Sequence, residues 1–164
     1  MPDYFSKYII QVDDIELMDA FAISLQQLKS QDQKMLESLG EKTYAPGKWP
    51  VRDVLLHITD TERVFAYRAL RFARADKTPL AGFDQDDYVT NGNARLRSIA
   101  DLMEELILVR KTSIALFKDL SPEALMRTGI SNGKEISVLA LGFTIIGHQL
   151  HHWKILNDKY LPLV

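Results

Sequence analysis

Apolar residues recur at steps of three and four along most of the chain, and the segments that break this rhythm carry glycine, proline or paired aspartates. The spacing predicts four long helices. The first covers Asp14 to Leu39, with Met18, Phe21, Leu25, Leu28, Met35 and Leu39 on one stripe, and Gly40 closes it where a C-terminal glycine takes positive φ. Pro46-Gly47 marks a turn. Pro50 suits the first turn of a second helix that runs to Arg74, its apolar face made by Val54, Leu55, Ile58, Phe65, Ala69 and Phe72.

A long loop follows, Ala75 to Gly92, with Pro79, Gly82 and the pair Asp86-Asp87; loops of this length inside compact domains often serve function. The third helix, Asn93 to Leu120, turns Ile99, Leu102, Met103, Leu106, Ser113, Phe117 and Leu120 inward. Ser121-Pro122-Glu123 signals a short extra helical turn, Ser131-Asn132-Gly133 a turn, and Ser137 the cap of a fourth helix that ends before Tyr160. No strand alternation longer than a few residues and no internal repeat is present. The pattern predicts an all-α four-helix bundle with a long loop between helices two and three, forming one domain over residues 1–164.

Composition narrows the function classes. With 20 Lys+Arg against 22 Asp+Glu the formal charge is −2, so no global basic field supports nucleic-acid binding. The most apolar stretch, Ile136 to Ile146, falls short of the roughly 18 residues a membrane span requires, and it reads as a buried helix. The start, Met1-Pro2-Asp3-Tyr4-Phe5, lacks the pattern of a secretory signal, which makes the cytoplasm the expected location. There is no cysteine, so the chain supplies no thiolate nucleophile or thiolate metal ligand. A metal would have to be held by His, Asp or Glu.

Three of the four histidines, His148, His151 and His152, fall in the stretch Gly147 to Trp153. On a helix His148 and His152 share a face, and they continue the apolar stripe of Leu141, Ile145 and Ile155. Both therefore face the bundle interior, where an unpartnered imidazole costs about 1–3 kcal/mol. A metal would satisfy them, as would buried water or a carboxylate. His57 lies two turns into the second helix, and an imidazole from a facing helix would complete a three-His site with open positions.

The segments Tyr44-Ala45-Pro46-Gly47-Lys48-Trp49, Val54 to Arg63, Gly82 to Asp86, Val109-Arg110 and Gly147 to His152 together resemble the DinB/YfiT-like four-helix-bundle metalloproteins. The resemblance implies a divalent metal, zinc or nickel, bound by His57, His148 and His152, in a protein that is commonly a homodimer acting on a small-molecule substrate. It further implies an S-transferase-like enzyme that activates a low-molecular-weight thiol. The alternatives are a non-catalytic, stress-associated metal-binding bundle and a hydrolase using metal-bound water. One departure stands out: Pro50 occupies the place where members usually carry a Ser or Thr helix cap.

Other residues carry competing readings. Glu62 lies on the inward stripe, turned about 140° from His57, and is expected to pair with Arg110 of helix three rather than serve the metal. Asp60 could accept the free ring N–H of His57 or face solvent. His151 is expected on a helix flank, and Trp49 and Trp153 as packing residues near the bundle ends. Arg63, Arg68, Arg71, Arg74 and Lys77 read as a solvated basic face, with attraction of an anionic substrate as the alternative.

Overall fold

The computed structural model describes residues 3–164. The Met1-Pro2 start of the segment read against a secretory signal lies outside the described residues. Eight α-helices and one short hairpin follow in order: α1 (Asp3–Ile9), α2 (Leu17–Lys29), α3 (Gln33–Leu39), α4 (Val51–Ala73), α5 (Gln85–Gly92), α6 (Ile99–Phe117), α7 (Pro122–Met126), β1 (Thr128–Ser131), β2 (Lys134–Ser137) and α8 (Val138–Ile155). The bundle is made by α2, α4, α6 and α8. None of the described helices is long and apolar enough to cross a membrane.

The order of the four around the bundle is not the order of the chain. Helix α4 packs on α6 and α8, and α2 packs on the same two, while α2 and α4 lie across one diagonal and α6 and α8 across the other. Each diagonal step needs a long connection. Residues 30–50, which include α3, make the first, and α7 with the hairpin makes the second.

Several boundaries differ from the sequence reading. The first predicted helix is two, because Ser30 folds its hydroxyl back onto the Gln27 carbonyl and the Asp32 carboxylate caps α3 by accepting from the Met35 N–H. Of the expected stripe Phe21, Leu28 and Leu39 are buried, while Leu17, Ala20, Ser24 and Leu36 are buried in place of Met18, Leu25 and Met35. Gly40 does take positive φ, at 55°. Pro50 sits one position before α4 as its cap residue, with no side-chain hydrogen bond, as its lack of a donor or acceptor side chain requires. The predicted loop 75–92 contains α5, whose Asp84 carboxylate accepts the N–H groups of Asp86 and Asp87. The third helix starts later than expected, at Ile99, behind a Ser98 cap.

The stretch Ile136 to Ile146 is not helical throughout: Ile136 and Ser137 belong to β2. Their strand pairs antiparallel with β1 through a turn in which Asn132 and Gly133 both have positive φ, the backbone that Asn-Gly favours. Ser137 then caps α8 by accepting from the Ala140 N–H. Helix α1, absent from the sequence reading, packs along α8.

The core is split into two apolar clusters. One holds Leu28, Val51, Leu55, Ile58, Leu102, Leu106 and Trp153, the other Phe21, Phe65, Phe72, Phe117, Leu141 and Ile145. Along each helix the residues between the clusters are polar: Ser24 on α2, Glu62 on α4, Arg110 and Ser113 on α6, His148 and Gln149 on α8. Arg110 forks onto Glu62 through two 2.9 Å bonds, with Ser113 donating to the same carboxylate at 2.7 Å and the Ser24 hydroxyl accepting from Arg110 at 2.5 Å. The expected buried pair is thus present and tied into three helices.

Candidate metal centre

His57 projects from the second turn of α4, and His148 and His152 from successive turns of α8. Their Nε2 atoms converge. His148 Nε2 lies 3.1 Å from that of His57 and 3.2 Å from that of His152, and the potential ligand atoms of the three all fall within 4.8 Å of one another. The in-plane lone pair of a neutral imidazole nitrogen points one way, so His148 cannot accept a hydrogen bond from both neighbours through one atom. A cation held by the three would satisfy them together. At metal–nitrogen distances of 2.0–2.1 Å, neighbouring ligand nitrogens stand about 3.0 Å apart in an octahedral site and about 3.3 Å apart in a tetrahedral one. The His57–His148 and His148–His152 separations lie between these values.

The protonation state fits the same role. Burial lowers the pKa of His57 to about 4 and that of His152 to about 3, and holds His148 well below its ordinary value. The imidazoles are therefore neutral near pH 7 and offer lone pairs. His57 and His148 are buried, whereas His152 is partly open and lines a cavity of about 380 Å³. Tyr44, Gly47, Lys48, Trp49, Val54, Gln85, Asp86, Ile155 and Tyr160 make up the rest of its wall. A ligand held by the three nitrogens would reach this cavity on the His152 side.

The remaining readings sort clearly. Glu62 is engaged by Arg110 and Ser113. Asp60 pairs with Arg63 at 3.4 Å and not with His57. His151 is half-buried, stacks edge-on against Tyr8 with ring centres 5.5 Å apart, and stands outside the donor cluster. Trp153 belongs to the core, but Trp49 is more than packing: its ring lies 4.9 Å from that of His57 and it lines the cavity. The basic face of α4 is largely used internally, since Arg63 bonds Glu105 at 2.6 Å, Arg71 pairs with Asp76, and buried Arg68 donates to the Ala81 carbonyl.

Two contributors escaped the sequence reading. Helix α1 brings Tyr8 edge-on against His148, with ring centres 5.1 Å apart, and α5 brings Gln85 and Asp86 to the cavity. The first left one signal. Gly147 stands on buried α8 one residue before a ligand candidate, and a Cβ there would lie 2.0 Å from the Tyr8 carbonyl oxygen. Only a glycine admits that approach.

Comparison with known proteins adds three findings. The sequence profile of the DinB superfamily matches residues 17–156. OB0413 of Oceanobacillus iheyensis, which bears the name of a candidate metal-dependent hydrolase, is 28% identical over 114 residues, covering 68% of this chain and 64% of that protein. The chain thus spans just under two-thirds of that relative's length. YfiT from Bacillus subtilis, described as a candidate metal-dependent hydrolase with an unusual four-helix bundle topology, superposes with a TM-score of 0.63 at 16% identity, covering 94% of this chain and 85% of the other. That likeness is one of fold.

Proposed function

Because this chain belongs to the DinB superfamily, we propose that it is a metal-dependent hydrolase of a small molecule, with a divalent ion held by His57, His148 and His152. The observation that carries the reading is the convergence of three neutral Nε2 atoms at the edge of a cavity. Zinc and nickel both suit an all-imidazole donor set. Such an ion supplies Lewis acidity, bringing the pKa of a coordinated water or thiol toward neutrality and polarising a scissile carbonyl or phosphoryl group.

The chain's own residues do the rest. Burial keeps the three imidazoles unprotonated, Trp49 and Tyr8 wall the rings of His57 and His148, and the cavity gives substrate access from the His152 side. Glu62 is excluded from proton transfer at this centre because both its oxygens are bound to Arg110. The relative's name supports hydrolysis, while thiol transfer, the activity expected from the resemblance, uses the same donor set and has no support beyond it.

Elemental analysis of protein purified without added metal tests the site, and the expected result is about one divalent ion per chain, lost in His148→Ala. A panel of chromogenic esters, amides and phosphoesters, assayed with and without an added small thiol, tests the reaction. Turnover without thiol that vanishes in His148→Ala supports hydrolysis. Turnover that requires the thiol overturns it in favour of S-transfer, and a metal-loaded protein that turns over nothing favours a non-catalytic ion.

A further inference from the structure

The cavity beside His152 carries two charged side chains in its wall, Lys48 and Asp86. Several charges near the centre are committed: Glu62 to Arg110, Asp60 to Arg63, Arg52 to Glu37 and Glu41. These two are not. Among the described residues no ion pair engages either one, and Lys48 Nζ rests 5.9 Å from the centre of the Tyr44 ring. Asp86 is exposed and lines the cavity, and its backbone is fixed, the N–H on the Asp84 carboxylate and the carbonyl under the Thr90 hydroxyl.

Much of the rest of the wall is aromatic. Tyr44 and Tyr160 meet edge to face with ring centres 5.1 Å apart, and the Tyr160 hydroxyl is spent on the Trp49 carbonyl at 2.6 Å. Burial pushes the Tyr160 pKa up to about 12, so this wall adds no charge at neutral pH. The space, about 380 Å³, equals that of about a dozen water molecules.

We propose that this cavity seats a small zwitterion on an aromatic or apolar frame, its carboxylate paired with Lys48 and its ammonium with Asp86. The assignment rests on the hydrolase reading in taking this cavity as the substrate's seat. A singly charged anion would gain Lys48 but meet Asp86, and a cation the reverse. A molecule bearing both charges satisfies both groups and covers the rings, as derivatives of amino acids and short peptides do.

Calorimetric titration of the metal-loaded protein with para-(aminomethyl)benzoate tests this, because the probe carries both charges on a ring and has no bond to hydrolyse. The controls are para-toluate, which lacks the ammonium, and benzylamine, which lacks the carboxylate. The zwitterion is expected to bind about fivefold tighter than either, the scale of one partly exposed ion pair. Asp86→Asn should erase its advantage over para-toluate, and Lys48→Gln its advantage over benzylamine. Equal binding of the three probes, or a preference unchanged in both variants, overturns the assignment. Metal content and hydrolysis are read on the same samples, so a selective cavity in a protein without turnover would overturn the hydrolase reading and leave this one standing.

Discussion

Gly147→Ala has the opposite sign from what local propensity predicts, which makes it a sharp test of how α1 sits on the metal centre. In an exposed helix interior, alanine in place of glycine stabilises by about 1 kcal/mol. Here the added Cβ would stand 2.0 Å from the Tyr8 carbonyl oxygen and 3.2 Å from the Tyr8 Cα. The obstacle is backbone, so no side-chain rotation relieves it, and α1 has to retreat by more than about 1 Å to restore ordinary contact.

Two aromatic anchors move with it. Phe5 is 1% exposed and meets Phe65 edge-on, and Tyr8 is 7% exposed and packs against His148 and His151. Freeing both forfeits about 1.5–3 kcal/mol per side chain. A destabilisation of about 3–5 kcal/mol is expected from urea unfolding of the metal-free variant at pH 7, followed by circular dichroism. Metal affinity should fall as well, because the wall behind His148 goes with α1. A loss below about 1 kcal/mol, or a gain, would refute the close packing of α1 against α8.

Three further outcomes are expected. Arg110→Met leaves the Glu62 carboxylate buried without its partner and should cost about 3–5 kcal/mol, while Glu62→Leu combined with Arg110→Met recovers most of it and leaves metal content unchanged; loss of metal in the double variant would show that Glu62 serves the centre after all. Ala75 follows α4 with φ of 61°, its N–H on the Phe72 carbonyl and the Asp76 N–H on that of Arg71, so Ala75→Gly should raise stability by about 0.5–1 kcal/mol in a thermal melt; a lowered melting temperature would contradict the left-handed cap. The folded-state pKa of His57, His148 and His152 lies below the ordinary 6.5, so the unfolded chain binds protons that the folded one refuses. Stability of the metal-free protein should therefore fall as pH drops below 6.5, by about 2 kcal/mol for His57 alone between pH 7 and 5, and a flat urea midpoint across that window would count against burial of the neutral imidazoles.

Much of this architecture was legible because helical period and capping chemistry are local. The inward faces of α4 and α6 followed from spacing alone, as did the Ser137 cap and the His148–His152 pair. The Glu62–Arg110 pair could be inferred because two charges on apolar stripes need each other. What was missed depends on contacts far apart in sequence or on weak local preference. Helix α1 has seven residues and is held by α8 rather than by its own propensity. The break at Ser30–Asp32 has no glycine or proline to mark it, only side chains that compete for backbone groups. Helix α5 buries none of its residues, so it left no apolar stripe to read, yet it carries Gln85 and Asp86 to the cavity.

The third histidine of the cluster shows where spacing stops and topology begins. His148 and His152 meet because one turn of helix separates them, whatever the fold. His57 joins them only if α4 lies beside α8. In a bundle whose helices follow one another around the ring, the second and fourth stand across the diagonal, with the core between them. Here the diagonals are occupied instead by the first and second helices and by the third and fourth. The long connections at 30–50 and through α7 and the hairpin, which look like decoration on a simple bundle, are what permit this exchange. They place α4 against α8 along its length, and that adjacency brings the His57 Nε2 to 3.1 Å from that of His148. The unusual helix order and the close approach of the three imidazoles are therefore linked: a chain with the same four stripes and ordinary connections would keep the histidine pair but lose the side-by-side packing of α4 on α8.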